Sequence, residues 1–227
     1  MKHFTIKKAL TTIILVIIGV FISNSSAFSQ CPNPPPDYPN DPFHPGPPLT
    51  IYFSHLAPHC DNCFIEVEWC WRCAGGANGH RDFYIGKITV SLSCIECFLE
   101  TGTEMEDLIE AIKYKIIAYH SDLWNAEGCG CTAICPEMCT SWRFISVACR
   151  TEFFLDPVTN EYISEPCDVS ASCWEILKSC VRLNHPPSIP PSDVLIETEL
   201  IYPIAPCPPG SMSPIYNKPC VKHGPCE

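Results

Sequence analysis

The sequence predicts an α+β fold: small antiparallel hairpins and one amphipathic helix, laced by disulfides, with proline-rich irregular arms at both ends. Three observations point there. Eighteen cysteines stand in 227 residues, an even count at a density close to that of disulfide scaffolds. Twenty of the 24 prolines lie in two terminal stretches. Between those stretches, apolar residues recur with period two in several segments and with a helical period in one.

The chain opens on an export pattern. Lys2, Lys7 and Lys8 precede the apolar run from Ala9 to Ile22, and Ala27-Phe28-Ser29 supplies small residues for a cut before Gln30. The run is shorter than the roughly 20 residues of a spanning helix. Residues 1–29 therefore read as a signal peptide, and the mature chain as secreted or cell-surface, with no membrane association after cleavage. An uncleaved anchor and a lipidated Cys31 are the competing readings; lipidation would leave an odd number of thiols. Cleavage removes three lysines and no acid, leaving 11 basic and 25 acidic residues, a net charge of −14. Such a surface repels phosphate backbones and anionic lipid heads. Nucleic acid is excluded as a partner, and cationic partners are favoured.

Nine prolines fall in residues 31–48 and eleven in 186–225. Proline fixes φ and removes a donor, so dense runs read as extended arms. Residues 30–48 and 185–227 are the predicted arms, and 49–184 the disulfide-stapled core, long enough for one modest apolar interior.

Within the core, Phe64 to Arg72 alternates as a strand. Ile65, Val67, Trp69 and Trp71 share one face; Glu66, Glu68, Cys70 and Arg72 share the other. The cluster Gly75 to Gly79 is a turn, and Asp82 to Leu92 returns, giving a hairpin over 63–92. From Thr103 to Tyr119 the period becomes helical. Thr103 and Glu106 form a capping box, and Met105, Leu108, Ile109, Ile112, Ile116 and Tyr119 form one apolar stripe. Acids come first and Lys113 and Lys115 later, which suits the helix dipole. Ser141 to Leu155 reads as a long strand that turns at Asp156 to Asn160 and returns at Glu161 to Glu165, a hairpin over 141–165. The segment 172–183 is ambiguous by period. A weak repeat resolves it: Cys63-Phe64, five residues, Cys70-Trp71-Arg72 is echoed by Cys173-Trp174, five residues, Cys180-Val181-Arg182. Cys139 to Cys149-Arg150 is a looser echo. Small cysteine-bearing hairpins used repeatedly would produce this, so 172–183 is read as a strand.

All eighteen cysteines are disulfide candidates: Cys31, Cys60, Cys63, Cys70, Cys73, Cys94, Cys97, Cys129, Cys131, Cys135, Cys139, Cys149, Cys167, Cys173, Cys180, Cys207, Cys220 and Cys226. Seven strand steps of about 3.3 Å put Cys63 and Cys70 roughly 23 Å apart, against the roughly 7 Å that a disulfide tolerates between Cα atoms. Each must bond to another segment, as must Cys173 and Cys180. The first hairpin brings Cys60 and Cys63 opposite Cys94 and Cys97. Two disulfides at the hairpin base are the expectation; a four-thiolate zinc site on these same residues is the alternative. The four arm cysteines Cys31, Cys207, Cys220 and Cys226 are expected to staple the arms to each other or to the core.

Trp69-Cys70-Trp71-Arg72-Cys73 resembles the WCxxC motif of the thioredoxin family over these five residues. That family starts a helix at the first cysteine, whereas Ala74 to Gly79 here will not sustain one. The run Cys129 to Cys139 lacks iron–sulfur spacing. The mature histidines, His44, His55, His59, His80, His120, His185 and His223, form no pair at helical or strand spacing, although His55 and His59 precede Cys60. Glu66 and Glu68 read as a solvated strand face, and the acids from Glu100 to Glu110 as a charged helix start rather than a calcium loop. Trp69, Trp71, Trp142 and Trp174 are expected to be buried, with an exposed aromatic platform as the alternative. No nucleophile elbow, P-loop, Rossmann glycine pattern or HExxH occurs.

No catalytic residue and no cofactor is assigned. The expected function is a secreted, non-enzymatic binding or structural module for an extracellular protein or glycan. The alternative is a secreted hydrolase or zinc-binding protein whose site is assembled from loop residues.

Overall fold

A computed structural model describes residues 31–32, 38–52, 60–75, 79–100, 102, 104–119, 137, 139–147, 149–167, 172–181, 192–200, 207 and 209–222. The predicted signal peptide, the capping residue Thr103, and Cys129, Cys131, Cys135 and Cys226 lie outside them. The chain is sheet-rich with few helices. Its centre is the antiparallel pair β3 (Phe64–Ala74) and β4 (His80–Ser91). β-Branched and aromatic residues dominate both strands, as a sheet buried on both faces requires.

Two short strands lie beside β3: β1 (His44–Pro45) and β2 (Leu49–Tyr52), both antiparallel to it. A proline in β1 is tolerated because that strand is at the sheet's edge. The chain between β1 and β2 presses on the indole of Trp69. The Gly46 amide donates to the Trp69 carbonyl at 2.8 Å, and Trp69 Nε1 donates to the Pro47 carbonyl at 2.7 Å. A Cβ on Gly46 would stand 2.1 Å from that ring, so only glycine fits.

The other side of β4 forks. Its first half, Arg81 to Tyr84, pairs in parallel with β5 (Cys139–Val147), which pairs antiparallel with β9 (Ser172–Val181) and through it with β10 (Ser192–Leu200). Its second half, Ile88 to Ser91, pairs with β8 (Glu161–Ser164), which pairs with β7 (Phe154–Asp156). A bulge falls at the branch point. Val67 faces Ile88 and Trp69 faces Ile85, so β4 carries one residue more than β3 there. A separate two-stranded sheet joins β6 (Cys149–Thr151) to β11 (Cys220–Lys222).

The parallel β4–β5 pair corrects the reading of antiparallel hairpins throughout. A parallel pair needs a long crossover, and this one carries a single 3₁₀ turn (Leu92–Cys94), α1 (Ile95–Glu100) and α2 (Met105–Tyr119). The predicted long strand 141–155 is also divided. β5 joins one branch of the fork and β7 the other, with β6 between them, so only β7–β8 forms a hairpin. Its turn is fixed by Asp156, whose carboxylate accepts from the Val158 amide at 3.0 Å and the Thr159 hydroxyl at 3.1 Å, with Asn160 at positive φ. The sequence echo has a structural counterpart: β3 and β9 are each the first strand of an antiparallel hairpin in one sheet.

The helices pack on the first face of the sheet. Ile65, Val67, Trp69, Phe83, Ile85, Ile88, Trp142 and Phe144 meet Phe98, Leu108, Ile112, Ile116 and Ile117 there. Phe83 stacks on Trp142 and on Phe144, each at 5.0 Å between centroids. One ion pair enters this oil: Lys113 of α2 meets Glu175 of β9, both side chains about 2% exposed. Lys113 belongs to the inner face of the helix, because Glu175 supplies its counter-charge.

The second face is sealed by the N-terminal segment. Phe43, with Cys31 beside it, packs on Cys70, Tyr84, Ile145, Val147 and Trp174. Arg72, Asp82 and Arg143 stand in register across β3, β4 and β5 and are all buried. Asp82 accepts from Arg72 Nε at 2.8 Å and from Arg143 Nε at 2.7 Å. Arg72 also donates to the Tyr38 and Asp41 carbonyls, and Arg143 stacks on Trp174 at 3.8 Å. The predicted solvated face of β3 therefore holds only in part: Glu66 is exposed, Glu68 pairs with Lys87 at 2.9 Å, and beyond them Cys70 and Arg72 are buried.

Candidate binding surface at the disulfide-braced end

Among the described residues, five disulfides have both partners placed. Cys60 bonds Cys97 and Cys63 bonds Cys94, at the base of the β3–β4 hairpin, with Cα separations of 5.9 and 5.3 Å. Cys31 bonds Cys70, tying the N-terminal segment to the second face. Cys149 bonds Cys207 and Cys167 bonds Cys220, closing the C-terminal segment over β6. Cys73 and Cys180 are oxidised as well, and no described cysteine is free. The four sulfurs of the zinc alternative thus meet as two disulfides, whereas zinc would need them as thiolates. Among the described residues, no three His, Cys, Asp or Glu side chains gather into a metal-binding group.

The WCxxC stretch lies within a strand and does not open a helix. Trp69 to Cys73 runs inside β3, so Cys70 and Cys73 point to opposite faces, and Cys70 is spent on Cys31. His55 and His59 lie outside the described residues. Trp69, Trp142 and Trp174 are buried and Trp71 is half-buried against His44, so no tryptophan platform forms on these strands.

The fork contains a buried polar group. Between the stretches that pair with β5 and β8, the carbonyls of Ile85 and Gly86 have no strand opposite them. The Arg150 guanidinium, 2% exposed, donates to Ile85 O at 3.2 Å, Gly86 O at 2.6 Å and Ser164 O at 3.3 Å. It takes the place of the missing strand. Burial lowers its pKa to about 10, and Tyr84 and Glu165 oppose that shift; it remains a cation at neutral pH. Burial pushes the Tyr84 phenol far up. Burial also raises Glu165, against the Ser213 hydroxyl, the Tyr216 and Ile215 amides and the Arg150 charge. These groups close the C-terminal loop onto the fork.

The accessible chemistry lies at one end of the sheet. The register brings four features together there: the end of β2 at Tyr52, the start of β3 at Phe64, the end of β4 at Ser91, and the β7–β8 turn, whose Glu161 faces Ser91. The two disulfides Cys60–Cys97 and Cys63–Cys94 brace α1 against this end. Tyr52, 52% exposed, packs its ring on Phe64 at 5.6 Å; Leu92 is 42%, Leu99 68% and Val158 88% exposed. Asp61, Glu96 and Glu100 are exposed around them. Beneath, Phe98 packs edge-on to Phe153 at 5.0 Å, which anchors α1 to the core. None of Tyr52, Leu92, Leu99 and Val158 is singled out by local sequence pattern. Their shared signal is an apolar residue placed where strand period ends and a turn or short helix begins.

A comparison with protein-family models finds no match, and comparisons with curated proteins and with solved structures find none either. Among the described residues, no helix is long and apolar enough to cross a membrane.

Proposed function

We propose that the protein is a secreted, non-enzymatic binding module that engages an extracellular protein through the disulfide-braced end. One observation carries the reading. Four large apolar side chains stand in water at the end of the sheet that two disulfides hold rigid, while both faces behind it are sealed. Exposed apolar groups on a covalently fixed frame are what a docking surface requires, because little ordering entropy is lost on binding. Secretion is supported by the export pattern of residues 1–29 and by the oxidised cysteines. A glycan is the second reading, supported by the exposed Tyr52 ring beside Phe64.

The test is photo-crosslinking with the secreted chain in the extracellular fluid of its source. A crosslinker at Leu99 should give a discrete protein adduct, and one at Met212, exposed on the C-terminal loop, should not. A chain that forms no adduct from Leu99, yet turns over substrates in a hydrolase panel, would sink the reading.

A further inference from the structure

The geometry points to a saccharide site on the second face of the sheet, where an extended, neutral oligosaccharide lies across the strands beyond the cover of the N-terminal segment. The inference takes up the glycan reading, adds the site and the class of sugar, and is independent of any protein docked at Leu99. Cross-strand register places the site. Thr50, Glu66, Thr89, Ile163 and Phe154 stand in one row across β2, β3, β4, β8 and β7. Side chains alternate along a strand, so this row faces away from Ile51, Ile65 and Val67, which pack into the core under the helices. Tyr52 and Phe64, each two residues along its strand, face the same way as the row. Four strand spacings of about 4.8 Å make the row roughly 19 Å long.

Aromatic rings stand at both ends of the row. At one end Tyr52 packs on Phe64; at the other, Tyr216 of the C-terminal loop packs on Phe154 at 5.1 Å. Thr89 and Ile163 are the buried floor between them. Glu66 is exposed on the same face, and the Lys87–Glu68 pair beside it is about one quarter exposed. Burial raises the Tyr216 phenol, and Asp156, Lys87 and Glu68 are near enough to act on it, which sets that ring beside the pair. A sugar ring offers C–H groups on its faces and hydroxyls around its edge. Aromatic rings take the first, and a paired ammonium and carboxylate supply donors and acceptors for the second. A purely apolar partner would strip water from Glu66 and the ion pair without replacing it. An anionic sugar would meet two carboxylates against one ammonium. A neutral saccharide satisfies both conditions, and the separation of the two aromatic ends calls for a chain rather than a single ring.

The probe is cellohexaose, a flat neutral chain, titrated into the intact secreted protein. Its control is an oligogalacturonate of equal length. Binding is followed by calorimetry and by backbone amide shift mapping. Cellohexaose should bind, with shifts at residues 50–52, 64–68 and 87–89 and at Tyr216. Tyr52→Ala and Tyr216→Ala should each weaken it about tenfold, while Leu99→Ser and Met212→Ser leave it unchanged. Raising salt from about 0.05 to about 0.5 M should change it little, because the ligand carries no charge. Near-ultraviolet circular dichroism checks that each variant is folded; should Tyr216→Ala unfold, Tyr52→Ala and the shift map still decide. Tighter binding of the oligogalacturonate, shifts mapped elsewhere, a loss on Leu99→Ser, or no binding of cellohexaose would each overturn the assignment. A Leu99 crosslink without cellohexaose binding would remove the sugar site and leave the protein-docking reading standing.

Discussion

The two faces of the central sheet are sealed by different chemistry. Under α2 the sheet buries carbon: Phe83, Trp142, Phe144 and the helix isoleucines, with one ion pair. Under the N-terminal segment it buries charge: two arginines share Asp82, roofed by Phe43 and flanked by Trp174. A fifteen-residue helix brings a broad apolar stripe, and dispersion with water release is enough to hold it. The segment from Cys31 to Phe43 brings few large apolar side chains, so its hold comes from directed bonds. Arg72 clasps the Tyr38 and Asp41 carbonyls, the Gly75 amide donates to Asp41 at 2.9 Å, and Cys31–Cys70 makes the attachment covalent. A short covering segment can be made secure by bonds that specify geometry, where a long one can rely on area.

That contrast yields an ordered set of expectations. Asp82→Ala leaves two buried guanidiniums without their counter-charge and should cost about 3–5 kcal/mol in denaturant unfolding. Ile112→Ala, on the apolar face, should cost about 2–5 kcal/mol through its cavity; the comparison fails if the two variants respond alike to salt, since only the first should. Replacing Cys31 and Cys70 together by Ala should cost about 2–4 kcal/mol and raise proteolysis N-terminal to His44. Lys113→Met with Glu175→Leu should be neutral or stabilising, whereas either change alone should destabilise by about 3–5 kcal/mol, read from the double-mutant cycle. The smallest effect concerns pH. Glu165 is raised in the folded protein, so its contribution is fully present below the unfolded carboxylate pKa and is lost as pH rises through the folded one. Glu165→Gln should therefore flatten the decline in stability across that window, measured by thermal melts in a pH series.

Local period reveals the elements more readily than their partners. β3, β4 and α2 stand close to the predicted segments because each carries a sustained alternation or stripe. β9 emerged only through its echo of β3. The parallel pairing of β4 with β5 has no local signal, since it depends on how a crossover of nearly fifty residues returns. The division of 141–155 follows from Arg150 and Cys149, whose partners at Ile85, Gly86 and Cys207 are far away in sequence. Arg72, Asp82, Arg143, Lys113 and Glu175 look like surface charges one at a time, and only register across strands makes them a buried set. The candidate surface was not legible in the sequence: Tyr52, Leu92, Leu99 and Val158 belong to separate segments, and the strand ends beside them meet only through register.

The disulfide pattern carries a consequence for maturation. Cys31 joins Cys70 across Cys60 and Cys63, whose own mates, Cys97 and Cys94, lie beyond Cys70. A chain emerging amino terminus first presents Cys31 to Cys60 before either native mate exists. Oxidation in order of appearance would therefore lock wrong pairs, and the native lattice must be reached by thiol–disulfide exchange. Yield in a host should accordingly depend on isomerase capacity more than on oxidant supply.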